Sequence, residues 1–115
     1  MDWAEQLRQR TNRFALAVIR FCRTLPHTVE GDVLRRQLLK AGTSVGANYR
    51  ATCRGRSDAE KRAKLGVVIE ESDETEYWLD LLSQADMGDS KQRGWLITEA
   101  AELTRLFVSC RRGMK

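Results

Sequence analysis

The stretch QLLKAGTSVGANYRATC, residues 37–53, decides how the chain is read. Leu38, Ala41, Val45, Asn48 and Thr52 recur there at spacings of 3, 4, 3 and 4, and Leu34 extends the series backwards. That is the period of an α-helix with one face turned to a core. A second stripe, Leu39, Gly42, Gly46, Tyr49 and Cys53, runs beside the first. Each glycine costs about 1 kcal/mol relative to alanine inside a helix. Two of them four residues apart, with Ser44 between, fit a helix that another helix must approach closely. Asn48 falls on the apolar stripe, where a buried amide needs partners; Ser72 and Thr75 are candidates. Asp32 is the expected N-cap and Gly55 the stop, which places this helix over 32–54.

The same period recurs on both sides of this helix. Trp3, Leu7, Phe14, Val18, Phe21 and Leu25 fall within an arc of about 60° at ~100° per residue. They predict a helix over 2–25, closed by Pro26, with a loop from Pro26 to Gly31. Ser57-Asp58-Ala59-Glu60 is a capping box that opens a helix over 58–86. Leu65, Val68, Ser72, Thr75, Leu79 and Leu82 line its inner face, and Gly88 ends it. Asp89-Ser90 caps a last helix over 90–111, with Leu96, Ala100, Leu103, Phe107 and Cys110 on one side. Arg111 and Arg112 favour the negative end of its dipole. Four amphipathic helices with short connections define an all-α, antiparallel up-down-up-down four-helix bundle, a single domain over 1–115.

Composition narrows the function classes. The chain has 115 residues, a single proline and a mean hydropathy of -0.50. Its longest apolar run, residues 14–19, is far short of the ~20 residues that span a bilayer. No basic-then-apolar leader opens the sequence, so a cytoplasmic protein without membrane partners is expected. Cys22, Cys53 and Cys110 are odd in number, widely spaced and each inside a helical pattern, as buried reduced thiols would be. With one histidine, His27, in a loop, neither zinc nor a di-iron bundle site is supported, and no cofactor is expected.

The net charge of +4 hides an asymmetry. Residues 1–57 hold 11 Lys and Arg against 4 Asp and Glu, a net of +7; residues 58–115 hold 9 against 12, a net of -3. Arg36, Lys40, Thr43, Ala47, Arg50 and Arg54 form one helical stripe about 27 Å long at 1.5 Å per residue. Arg35 flanks it, Arg56 follows it, and Arg10, Arg13, Arg20 and Arg23 share an arc of the first helix. Ten of the eleven cations in this half are arginine, the side chain that grips phosphate bidentately. Nucleic acid is therefore one expected partner, through Arg13, Arg20, Arg36, Lys40, Arg50, Arg54 and Arg56. A solvated face, or one paired with the third helix, is the alternative.

That third helix carries Glu70, Glu71, Asp73, Glu74, Glu76 and Asp80. Asp73, Glu76 and Asp80 share a face, but no histidine, nucleophile or glycine-rich loop accompanies them. Salt bridges fit them better than acid–base chemistry, and no enzyme is expected. Trp78 lies at the edge of the core stripe with Tyr77 nearly opposite, so Glu74 and Trp78 fit an interface anchor, with packing at the core edge as the commoner alternative.

Residues 37–48 resemble the second-helix signature Gln-Leu-x-x-(Ala/Ser)-x-x-Ser-(Ile/Val)-x-x-Asn of the four-helix-bundle proteins encoded in intervening sequences of bacterial 23S rRNA genes. Residues 65–74 with Tyr77-Trp78-Leu79 resemble the third-helix block of one branch of that family. The sequence departs where many members continue Asn-Ile-x-Glu-Gly: here Asn48-Tyr49-Arg50-Ala51-Thr52 stands, and glycine waits until Gly55. The resemblance implies a small cytosolic bacterial bundle and a ring-shaped homo-oligomer, a pentamer. The family is similar in architecture to the basic accessory protein of diversity-generating retroelements, which partners a reverse transcriptase and nucleic acid. Two functional expectations follow. One is a non-enzymatic RNA- or DNA-binding bundle. The other is a self-assembling scaffold that binds another protein, a reverse transcriptase for example, with its charged faces spent in the subunit interface.

Overall fold

The structure, a computed structural model, describes residues 2–114. It contains helices α1 (Trp3–Cys22), α2 (Val29–Cys53), α3 (Asp58–Gln84) and α4 (Ser90–Arg112), with no strand among the described residues. Each helix packs on its sequence neighbour, and α1 closes the bundle against α4 along a sparser seam. The bundle measures 45 × 25 × 19 Å.

The inner stripes meet in one core. Phe14, Phe21 and Phe107 are fully buried with Leu7, Leu38, Leu65, Leu79, Leu82, Leu96 and Leu103. Burying one such side chain is worth about 1.5–3 kcal/mol, several times a surface ion pair. On α3 the six expected inner residues are the six buried ones. Trp3 is not part of the core: in the first turn of α1 it is half exposed, beyond the end of the packed layers. Among the cysteines, all free, only Cys22 is buried; Cys53 and Cys110 are half-buried.

The start of α2 corrects the expected boundary. The helix begins at Val29, not at Asp32, and its N-cap is Thr28, whose hydroxyl accepts from the Gly31 amide at 3.1 Å. Gly31 belongs to the first turn because that turn folds over the preceding chain. A Cβ on Gly31 would sit 2.1 Å from the Pro26 carbonyl oxygen. Asp32 instead pairs with Arg35 at 2.6 Å. At the far end of the bundle Ser57 caps α3 through the Glu60 amide at 3.1 Å. The Glu60 carboxylate reaches back to the amide of Arg56, one residue beyond the reciprocal box.

Asn48 finds its partner within α2, donating to the Ser44 carbonyl at 2.9 Å. Ser72 and Thr75 are engaged elsewhere: Thr75 donates to the Glu71 carbonyl at 2.7 Å, and Ser72 lies 2.6 Å from the Thr104 hydroxyl. Thr104 has one proton and two acceptors, Glu76 at 2.7 Å and the Ala100 carbonyl at 2.9 Å. Ser72 is therefore the donor in its bond to Thr104.

Candidate nucleic-acid interface

The small residues of α2 shape the site. Gly42 lies against Val18, and Gly46 against Thr11, so α1 comes close to α2. Beside this contact, Ala15, Thr43, Gly46 and Ala47 line a groove of ≈ 810 Å³ whose rim carries Arg8 with its partner Glu5, and Arg13, Arg50 and Arg54. Tertiary structure thus brings Arg13 of α1 to Arg50 and Arg54 of α2. Arg36 and Lys40 lie on α2 outside the groove lining, Arg20 lies two turns beyond Arg13 on α1, and Arg56 sits in the loop after α2.

Partners sort the arginines into two groups. Arg10 bridges to α4, 2.8 Å from Glu99 and 2.8 Å from Glu102. Arg35 donates to the carbonyls of Cys22, Leu25 and Pro26 at 3.2, 2.9 and 3.2 Å. It thereby satisfies acceptors left open where α1 ends. Arg8 pairs with Glu5, its Nε donating at 3.1 Å. Hydrogen bonds to Glu5, then to the Cys53 thiol, push the Arg8 guanidinium further up. Arg10 and Arg35, expected on the basic face, are therefore structural. Arg13, Arg20, Arg36, Lys40, Arg50, Arg54 and Arg56 are exposed, and among the described residues none has a carboxylate within 4.0 Å of its charged side-chain nitrogens; the Glu60 carboxylate meets Arg56 at the backbone amide alone.

Among the described residues, none of these cations makes the expected salt bridge to α3. Partial burial, then the neighbouring Glu74, raises the Glu71 carboxyl, and the charge of Lys40 opposes that rise. Asp73, Glu76 and Asp80 face α4 instead and line a groove of ≈ 450 Å³ with Tyr77, Ile97 and Ala101. Among the described residues no three carboxylate, thiol or imidazole groups converge as a metal site would require. Glu74 accepts from the Trp78 indole at 3.1 Å, and Trp78 stands edge-on to Tyr77 at 5.0 Å. Trp78 itself is half-buried and packs against the edge of the core.

Sequence reasoning missed Arg93. It is buried at 7% exposure and donates to the carbonyls of Met87 at 2.7 Å and Gly88 at 3.3 Å, tying the α3–α4 turn to α4. The signal was present, since Arg93 continues the Leu96, Ala100, Leu103 series three residues upstream. Arg8 was missed as well; Glu5, one turn before it, is the visible clue.

Among the described residues no helix is long and apolar enough to cross a membrane. A four-helix bundle with unpaired cations on α1 and α2, and a carboxylate groove between α3 and α4, is the class of protein these features define. Residues 5–109 match the 23S rRNA-intervening sequence protein family, and the chain belongs to that family. Among solved structures it is similar to a protein of unknown function from the S23 ribosomal protein family of Bacteroides thetaiotaomicron VPI-5482. The two share 28% identity over 95% of this chain and 97% of that one, with a TM-score of 0.85. No curated protein matches the chain.

Proposed function

We propose that this protein is a non-enzymatic RNA-binding bundle whose α1–α2 groove holds the polyanion. The observation that carries the reading is the division of labour among the arginines. Arg8, Arg10 and Arg35 are committed to carboxylates and carbonyls. Arg13, Arg50 and Arg54 share the groove rim with no carboxylate within 4.0 Å among the described residues. Like charges held together repel, and a polyanion relieves that cost while releasing counterions. The α3 carboxylates support binding over catalysis: Glu76 accepts from Thr104, and Asp80 accepts from Gln84 at 2.8 Å. Fluorescence anisotropy of a labelled RNA at low salt tests the reading, and absence of binding there rejects it.

A second reading rests on the acidic groove of Asp73, Glu76 and Asp80, set between the other pair of helices. Opposite charges on different helix pairs suit a head-to-tail contact between copies, closing into the pentameric ring that the family resemblance implies, or a contact with a protein such as a reverse transcriptase. Light scattering that reports a monomer at micromolar concentration, at low and high salt, rejects the ring.

A further inference from the structure

The lining of the α1–α2 groove carries a second message, about which part of a nucleic acid it can hold. Its rim carries the unpaired Arg13, Arg50 and Arg54, with Arg8 held by Glu5 beside them, and its floor is built from small side chains; no aromatic ring lines it. Proteins that hold unstacked bases offer them aromatic platforms. Here the rings lie elsewhere. Tyr77 lines the acidic groove, Trp95 is on α4, and the half-buried Trp78 packs against the core and gives its indole N–H to Glu74. Trp3 is exposed in the first turn of α1, outside the groove lining. Tyr49, the aromatic residue of α2, is buried against Phe107 at 5.6 Å and turned into the core. Arginine at an open rim meets phosphate oxygens with paired N–H donors, and such contacts carry no sequence information.

We infer that the groove takes the sugar–phosphate backbone alone, leaving the bases unread, so its ligand class is a phosphodiester chain of any sequence. This rests on the RNA-binding reading and goes beyond it. The test compares labelled 20-mers of equal phosphate number: oligo-uridine, oligo-adenosine, a mixed sequence, and a chain of abasic phosphodiester units. Binding is measured on the full chain by anisotropy across a salt series.

Expected are dissociation constants within about threefold of one another and parallel salt slopes. Arg50→Gln with Arg54→Gln should weaken all four ligands by the same factor. Lys91→Gln, an exposed cation on α4 outside the groove, should weaken none. An aromatic platform makes each stacked base worth about five- to 150-fold. Loss of tenfold or more on the abasic chain, or a tenfold preference among sequences, overturns this inference while leaving RNA binding intact. Failure of all four ligands to bind at low salt overturns both.

Discussion

Val18 of α1 and Gly42 of α2 are in contact so tight that a Cβ added to the glycine would lie 2.9 Å from one valine methyl and 3.0 Å from the other. Val18 is fully buried and β-branched, so its methyls have no rotamer to retreat into. Overpacking of this kind costs about 1–3 kcal/mol, against a helix-propensity gain of about 1 kcal/mol for alanine. Gly42→Ala should lower the unfolding free energy, read from a denaturant titration, by a net of about 1 kcal/mol. In a Val18→Ala background the same change should cost less, because the two residues are coupled. Equal costs in both backgrounds would show that the contact is looser than the geometry says.

Gly94 provides the opposite case. It sits inside α4 on the exposed surface, and a Cβ there meets nothing within 4 Å. Gly94→Ala should therefore stabilise the fold, by about 1 kcal/mol in a denaturant titration. A destabilising result would place a partner against that face.

The α3–α4 turn is the third test of packing. Gly88 has φ +79°, and a Cβ there would sit 2.7 Å from the Phe21 ring. Backbone strain of about 1–2 kcal/mol adds to the clash. Gly88→Ala should cost roughly 2–4 kcal/mol; thermal unfolding indistinguishable from the parent protein would contradict this account of the turn.

How much of this was legible beforehand depends on whether the deciding contact is local. The α3 stripe from Leu65 to Leu82 reads correctly residue by residue, because burial there follows the helical period alone. The start of α2 reads late because Gly31 looks like a loop residue until its proximity to the Pro26 carbonyl is seen. The arginine face is legible as a set of residues, but not in its partition. Arg10 lies on the same arc as Arg13, and only the fold brings Glu99 to it from 89 positions away. The groove between α1 and α2 was not visible either, since no helical wheel shows how two helices pack together.

The Arg10 bridge makes a pH prediction at the sparse α1–α4 seam. Its hydrogen bond, and then its charge, hold the Glu102 carboxyl below the ordinary 4.5. A carboxyl whose pKa is lower in the folded than in the unfolded chain adds stability above the unfolded value. That stability is lost as pH falls through the folded value. The parent protein should lose stability on acidification below about 4.5 more steeply than Arg10→Met does. Parallel acid limbs would mean the bridge contributes nothing.

If unpaired arginines of α1 and α2 hold a polyanion, RNA affinity against salt should differ between the parent chain and Arg50→Glu with Arg54→Glu. Both residues are exposed, so the reversal leaves the core untouched. The account predicts a linear fall of log K with log salt, with a slope near -0.7 per phosphate neutralised on a single strand. The double reversal should cut low-salt affinity by roughly tenfold or more and flatten the slope by about 1.4. RNA affinity that is absent at low salt, or identical in the two proteins, would contradict it.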